Sequence, residues 1–152
     1  MIYFLSDAHL GSRVINDPSA HQKKLVMLLE KMSKDATSIF LLGDIFDFWF
    51  EYFWSDKSKK EYILLLNTLK KITQSGISVH FFIGNHDLWT FGWLARQTGI
   101  QVHRQPQSML LNNKRVYLAH GDGLIPKTFF HTLPPAIKKK INHFILLRKI
   151  FH

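Results

Sequence analysis

The sequence predicts an α/β protein whose first strands are parallel. Short apolar runs alternate with amphipathic helical patterns, polar residues typical of metal sites follow four of those runs, and a hairpin signal appears late in the chain. The order βαβαβ implies parallel strands joined by right-handed crossovers. At 152 residues, with 46% hydrophobic and 14% aromatic composition, the chain is long enough for one domain with its own core.

Two strand and helix units open the chain. The first strand is predicted at Ile2–Leu5 and the second at Ser38–Leu42, because both are short runs rich in β-branched, aromatic and other apolar residues. A helix over 21–34 follows the first strand, and a helix over 59–74 follows the second and ends before Gly76. The apolar residues of the first helix recur at helical spacing: Leu25, Leu28, Leu29 and Met32.

The pattern changes after the third strand, which is predicted at 79–83. A short helix is expected over 89–97. Asn112 and Asn113 form a hairpin signal before the last strand, 116–119, so the sheets are expected to become mixed there. The change of pattern begins at 102–103 and 109–111.

The composition limits the possible chemistry and partners. The chain contains no cysteine, so a metal ion must be held by His, Asp, Asn and water, which favours Mn²⁺ and similar ions. Lys and Arg number 20 against 11 Asp and Glu, a formal charge of +9, and nothing acidic follows Asp122. This charge suits phosphorylated ligands, nucleic acid or an anionic membrane. Without a signal-peptide pattern or a membrane-spanning run, the sequence predicts a cytosolic protein.

Candidate metal ligands follow each of four predicted strands. Because ligands gather beyond the carboxyl ends of parallel strands, the four sets are predicted to converge on one site. They indicate a phosphoesterase with two metal ions. The sets are Asp7 with His9, Asp44 with Asp47, Asn85 with His86 and Asp87, and His120 with Asp122.

A two-metal centre needs a carboxylate that can bridge both ions. Asp44 is the predicted bridge. Asp7 and His9 are predicted to complete the first metal site with Asp44, and Asn85 and His120 are predicted to complete the second.

His86 is the predicted catalytic residue, which protonates the leaving oxygen or stabilises the charged phosphoryl group, and Asn85 is expected to contact the substrate with it. Asp47, Asp87 and Asp122 are expected to hydrogen-bond the ligands or their loops and not to bind the ions. A single Asp after a strand is more often a helix cap or turn residue. Four sets in this order favour metal binding, whereas the remaining histidines are expected to be solvated or packed.

These motifs resemble the calcineurin-like metallophosphoesterase superfamily. The runs 6–11, 43–49 and 120–124 are similar to the UDP-2,3-diacylglucosamine hydrolases of lipid A biosynthesis, and the match covers about residues 1–125. The resemblance implies Mn²⁺-dependent hydrolysis of the pyrophosphate of UDP-2,3-diacylglucosamine to UMP and 2,3-diacylglucosamine 1-phosphate. It also implies an αββα four-layer sandwich with mixed, partly parallel sheets, and peripheral association with the cytoplasmic face of the inner membrane.

The chain departs from those hydrolases at two points. Its third motif has His86, the usual residue of the wider superfamily, where many of them have Arg. The 152 residues also lack the Gly-His-x-His segment whose histidines finish both metal sites in the superfamily. The expectation is an amino-terminal portion of a longer enzyme, without the C-terminal part of the fold, or a site completed by water. The alternatives are another metal-dependent phosphodiesterase or phosphatase acting on nucleotides, and an inactive fragment; nucleic acid is not the expected substrate.

Two further segments bear on recognition of the rest of the substrate. Residues 46–54 include seven aromatic residues, which form either an acyl-chain or nucleobase platform or a local core. Trp89, Phe91 and Trp93 could extend that platform. Residues 126–152, which follow the phosphoesterase portion 1–125, are predicted to be a basic amphipathic lid or a membrane-facing segment.

Overall fold

The computed structural model describes residues 1–51 and 60–121. Asp122, the aromatic residues 52–54 and the predicted segment 126–152 lie outside the described residues. In chain order the elements are β1 (Ile2–Leu5), α1 (Pro18–Met32), β2 (Ser38–Leu42), α2 (Ile63–Gln74), β3 (Ser78–Phe82), α3 (Trp93–Thr98), β4 (Gln101–His103), β5 (Gln107–Leu111) and β6 (Lys114–Leu118).

The central sheet is parallel, as predicted. Its four strands are paired in the order β1, β2, β3, β4, and each neighbouring pair is parallel. The hairpin signal is also confirmed, but β5 and β6 pair antiparallel with each other as a separate two-stranded sheet. Asn112 and Asn113 have φ angles of 48° and 60°, the left-handed conformation that a tight two-residue hairpin turn requires.

The larger core lies between the central sheet and the helices. Leu25 and Leu29 of α1 and Leu65 of α2 are buried against strand residues such as Leu41 and Phe81. These apolar side chains follow the helical spacing seen in the sequence, because a helix buries one stripe of its surface.

A smaller core lies on the opposite face of the sheet. Phe40 and Phe82 pack there with Leu118 of the hairpin. Helices, parallel sheet and hairpin therefore stack in that order, and the described part of the chain supplies these layers of the expected sandwich.

The helices begin at different residues from those predicted; for α2, which begins at Ile63, the predicted start at 59 lies outside the described residues. α1 begins at Pro18, because Asp17 caps it by accepting a hydrogen bond from the Ala20 amide at 2.9 Å. α3 begins at Trp93, later than predicted, because the preceding residues pair with the loop after β2. Gly92, with φ of 102°, then turns the chain into the helix. Among the described residues, no helix has the length and apolar character needed to span a membrane.

Candidate metal centre

The loops after β1 and β2 continue side by side beyond the ends of the strands. The amide of Asp7 donates to the carbonyl of Gly43 at 3.1 Å, and the amide of His9 donates to the carbonyl of Asp44 at 2.9 Å. The pairing places these candidate ligands together at the carboxyl edge of the sheet.

Three candidate ligands have an unusual backbone conformation. Asp7, His9 and Asp44 have φ angles of 55°, 45° and 53°, in the left-handed region that residues other than glycine seldom adopt. Such a conformation costs on the order of 1–3 kcal/mol and persists only where the surrounding structure holds it. Strain concentrated at three neighbouring polar residues favours a functional site.

Two glycines allow the loops after β2 and β3 to meet. A Cβ atom on Gly43, where φ is 85°, would lie 2.5 Å from Nδ1 of His120. A Cβ atom on Gly84 would collide with the carboxylate and the backbone nitrogen of Asp44. Both positions therefore require glycine if Asp44 and His120 are to lie side by side.

Asp44 lies at the centre of the cluster and is almost fully buried. Its Oδ2 is 3.1 Å from Nε2 of His120 and 3.8 Å from Nε2 of His9, and its Oδ1 accepts a hydrogen bond from the His86 amide at 3.0 Å. Among the described residues, two groups of three side chains each offer possible ligand atoms that lie within 4.8 Å of one another inside the group, and both groups include Asp44. The groups are His9, Asp44 and His86, and Asp7, Asp44 and His120.

These groups differ in detail from the predicted ligand sets. The prediction pairs Asp7 with His9, and the structure places Oδ1 of Asp7 3.7 Å from Nε2 of His9. The structure also brings His9 near His86, with ring centroids 4.9 Å apart, and Asp7 near His120. Asn85 is exposed in the same turn as His86. The assignment of individual side chains to one ion or the other remains a prediction.

Asp47 lies between two histidines. Its Oδ1 is 3.3 Å from Nδ1 of His9 and 3.6 Å from Nδ1 of His86, and its backbone carbonyl lies 2.6 Å from the same atom of His86. A carboxylate beside Nδ1 leaves Nε2 as the ring nitrogen that can face an ion. That Asp47 orients ligands in this way stays a prediction.

Asp87 is fully buried and joins two of the loops. Its carboxylate accepts hydrogen bonds from the amides of Gly84 at 2.6 Å and Ile45 at 2.9 Å. Burial raises the pKa of Asp87, and these amide hydrogen bonds oppose the increase. These contacts join the loops after β2 and β3, and the role expected for Asp87 at the metal centre stays a prediction.

The electrostatics of the centre are dominated by Asp44 and His120. Burial by itself would lower the pKa of His120, but the hydrogen bonds to Asp44 and to the Leu42 carbonyl raise it to about 9. Burial would raise the pKa of Asp44, yet the hydrogen bonds from His120 and the His86 amide bring it below its ordinary value. Without a metal, the two side chains form an ion pair.

The donor set fits divalent metal ions. Carboxylate and imidazole donors suit Mn²⁺, Fe²⁺, Co²⁺ and Zn²⁺. Nδ1 of His120 donates to the Leu42 carbonyl, so Nε2 is the atom available to a metal once its proton is released. Asp44, Asp7 and the three histidines can therefore hold metal ions at this edge of the sheet.

The sequence left open whether the aromatic residues after Asp44 form a local core or an exposed platform, and the structure shows some of them buried and others exposed. Phe46 and Trp49 are buried in the core, whereas Phe48, Trp89 and Phe91 are 67%, 46% and 55% exposed. Ring centroids are 6.3 Å apart for Phe48 and Phe50, and 5.6 Å apart for Phe50 and Trp89. We refer to Phe48, Phe50, Trp89 and Phe91 as the aromatic surface.

Glu51 is a buried residue near the centre that the sequence reasoning did not single out. The available signal was an acidic residue between aromatic residues that, unlike Asp47, belonged to no metal-ligand motif. Such a residue must find hydrogen-bond donors if the run is packed.

A parallel sheet with candidate Asp and His ligands gathered at its carboxyl edge is typical of a metal-dependent hydrolase. The Calcineurin-like phosphoesterase family model matches residues 1–148, and the chain belongs to that family of metal-dependent hydrolases. The family implies divalent metal ions, in agreement with the donor set described above.

Relatives named UDP-2,3-diacylglucosamine hydrolase show a narrower similarity. The protein from Porphyromonas gingivalis is 39% identical over 121 residues, which cover 80% of this chain and 45% of that protein. The protein from Haemophilus ducreyi is 33% identical over 124 residues, covering 80% of this chain and 49% of that protein. The chain thus spans about half the length of the curated relatives it matches.

A solved structure shows similarity at the level of the fold. A protein of unknown function from Aquifex aeolicus matches with a TM-score of 0.50 and 21% identity, covering 99% of this chain and 72% of that one. This similarity indicates that the two proteins share a fold.

Proposed function

We propose that this chain contributes to Mn²⁺-dependent hydrolysis of the pyrophosphate bond of UDP-2,3-diacylglucosamine, which yields UMP and 2,3-diacylglucosamine 1-phosphate. The observation that carries the proposal is the position of Asp44, whose buried carboxylate belongs to both groups of possible ligands. The relatives' name supports the choice of substrate.

In this proposal, Asp7, His9, Asp44, Asn85 and His120 would hold the ions, and the Asp44 carboxylate would serve both groups of ligands. Bound divalent ions would polarise phosphoryl oxygens and lower the pKa of a water molecule. Asp47 and Asp87 hold the ligand loops through the contacts described above.

His86 is the proposed catalytic residue. Its side chain is 38% exposed, and its Nδ1 faces the backbone carbonyl of Asp47 at 2.6 Å. As the imidazolium, the ring donates to Asp47 through Nδ1 and offers the Nε2 proton to the leaving oxygen or the charged phosphoryl group. Asn85, exposed beside it, contacts the same part of the substrate.

The aromatic surface is the proposed contact for the apolar part of the substrate. It lies next to His86, since the amide of Trp49 donates to the His86 carbonyl at 3.3 Å. An exposed apolar surface beside a polar centre favours a ligand with both kinds of chemistry. We further propose a cytoplasmic protein bound at the inner face of the membrane, with 1–125 as the phosphoesterase portion and 126–152 as a lid or membrane-facing segment.

The test is release of UMP from UDP-2,3-diacylglucosamine in detergent with Mn²⁺. Asp44→Asn should abolish release, whereas Asp35→Asn should not, because Asp35 bonds Tyr3 away from the centre. Cleavage of a simple nucleotide phosphodiester, with the glycolipid untouched, would favour the alternative phosphodiesterase. Loss of neither activity in Asp44→Asn would contradict the assignment of the centre.

A further inference from the structure

Glu51 makes four hydrogen bonds through a buried carboxylate. Its Oε2 accepts from the amides of Phe91 at 2.5 Å and Trp93 at 2.8 Å. Its Oε1 accepts from the amide of Leu94 at 2.8 Å and from the indole nitrogen of Trp49 at 3.3 Å. The side chain thus binds the backbone at the start of α3 to the loop after β2.

This environment is specific for a carboxylate. Burying an ionised group is costly unless hydrogen bonds compensate, and a carboxylate accepts at about four positions. All four contacts of Glu51 are N–H donors, and three of them come from the amides that precede or begin α3. A glutamine would turn its own N–H group toward some of these donors.

The backbone around Glu51 pairs with the loop that carries His86. The amide of Trp49 donates to the His86 carbonyl at 3.3 Å, and the amide of Glu51 donates to the Trp89 carbonyl at 3.0 Å. Phe50 and Trp89 form a parallel bridge between these contacts. The pairing begins at His86 and ends where the Glu51 carboxylate holds the turn into α3.

His86 therefore lies between two buried carboxylates that join the same pair of loops. Asp87 holds the beginning of its loop, through the amides of Gly84 and Ile45. Glu51 holds the end of that loop, from Phe91 to Leu94. Two fixed ends restrict where the segment between them, including the His86 ring, can lie.

We propose that Glu51 is a positioning residue that sets the location of the His86 ring and of the aromatic surface. It acts through the backbone of the loop after β3 and does not touch the ligands of the metal centre. The part concerning catalysis rests on the function proposed above, whereas the part concerning the position of His86 does not.

The first experiment measures position without turnover. The His86 imidazole signal and backbone amide exchange are followed by NMR in the unmodified chain, Glu51→Ala, Glu51→Gln and Asp17→Ala. Asp17 is the matched control, because its carboxylate also caps a helix, α1. We expect Glu51→Ala to shift or broaden the His86 signal and to speed exchange across 86–94 by about tenfold or more, with Glu51→Gln intermediate. Asp17→Ala should affect only the start of α1.

An unmoved His86 signal in Glu51→Ala would overturn the proposal, and so would equal changes throughout the protein. UMP release then tests the catalytic part. Glu51→Ala should lower kcat by about 10- to 100-fold, the usual cost of losing a residue that orients a functional group, with KM and bound Mn²⁺ little changed. Unchanged kcat in Glu51→Ala would confine Glu51 to a structural role. Absence of UMP release from the unmodified chain would contradict the proposed function, but the NMR result would still decide the positioning role.

Discussion

The carboxyl edge of the central sheet and the core beneath it are built from the same strands but obey different rules. At the edge, Asp7, His9 and Asp44 have strained backbone angles and polar surroundings. In the core, Leu29 and Phe81 are fully buried among apolar side chains. The apolar core supplies free energy of folding. Part of that free energy offsets the cost of the strained backbone that holds the candidate ligands together at the edge. Substitutions should therefore separate metal binding from stability.

The largest expected effect is at Asp44. Asp44→Ala should remove metal from both groups and lower hydrolysis by at least ~10³-fold, since several kcal/mol of charge stabilisation are lost. Elemental analysis of the purified chain, with and without the substitution, measures the Mn²⁺ content. Retention of one ion by the variant would show that Asp44 does not serve both groups.

His86→Ala distinguishes catalysis from metal binding at the carboxyl edge of the sheet. If His86 is the catalytic acid, turnover should fall by about 10²- to 10⁴-fold while the Mn²⁺ content stays unchanged. The structure places His86 in one group of possible ligands, so the metal content decides between the two roles. Loss of an ion from this variant would make His86 a ligand.

Leu29→Ala tests the core, where a substitution should lower stability and leave metal binding unchanged. Leu29 is fully buried between α1 and the sheet, so truncation should lower the free energy of unfolding by about 2–5 kcal/mol. Urea unfolding measures that change, and elemental analysis under folding conditions should show the same Mn²⁺ content as the unmodified chain. A selective loss of metal at full stability would contradict the separation of edge and core.

The smallest expected effect concerns the hairpin-facing side of the sheet. There, Nδ1 of His80 lies 2.9 Å from Nε2 of His103. Burial lowers the pKa of both histidines below the ordinary value. The unfolded chain then binds more protons, so stability should be present above about pH 6.5 and decline as the pH falls through the lowered values. Urea unfolding at pH 7.5 and 5.5 measures the loss. His80→Phe should reduce the pH dependence of the free energy of unfolding. If the variant and the unmodified chain showed the same dependence, groups other than this histidine pair would be its cause.

The prediction of the fold rested on local patterns. Leu25 and Leu29 mark a helix by their spacing, and Asn112 with Asn113 marks a hairpin by its turn chemistry. These signals were sufficient because each depends on neighbouring residues. The prediction placed the start of α3 too early, since pairing between Glu51 and Trp89 overrides the helical pattern there.

The sequence by itself determined the order of strands and helices, the residue types at the strand ends and the family. Only the tertiary structure decided that Asp44 lies within reach of both ligand groups, that Phe46 is buried while Phe48 is exposed, and that Glu51 joins two loops. The physical reason is distance along the chain. Spacing and side-chain chemistry are local properties, whereas a buried carboxylate finds its donors some 40 residues away only after the strands have paired.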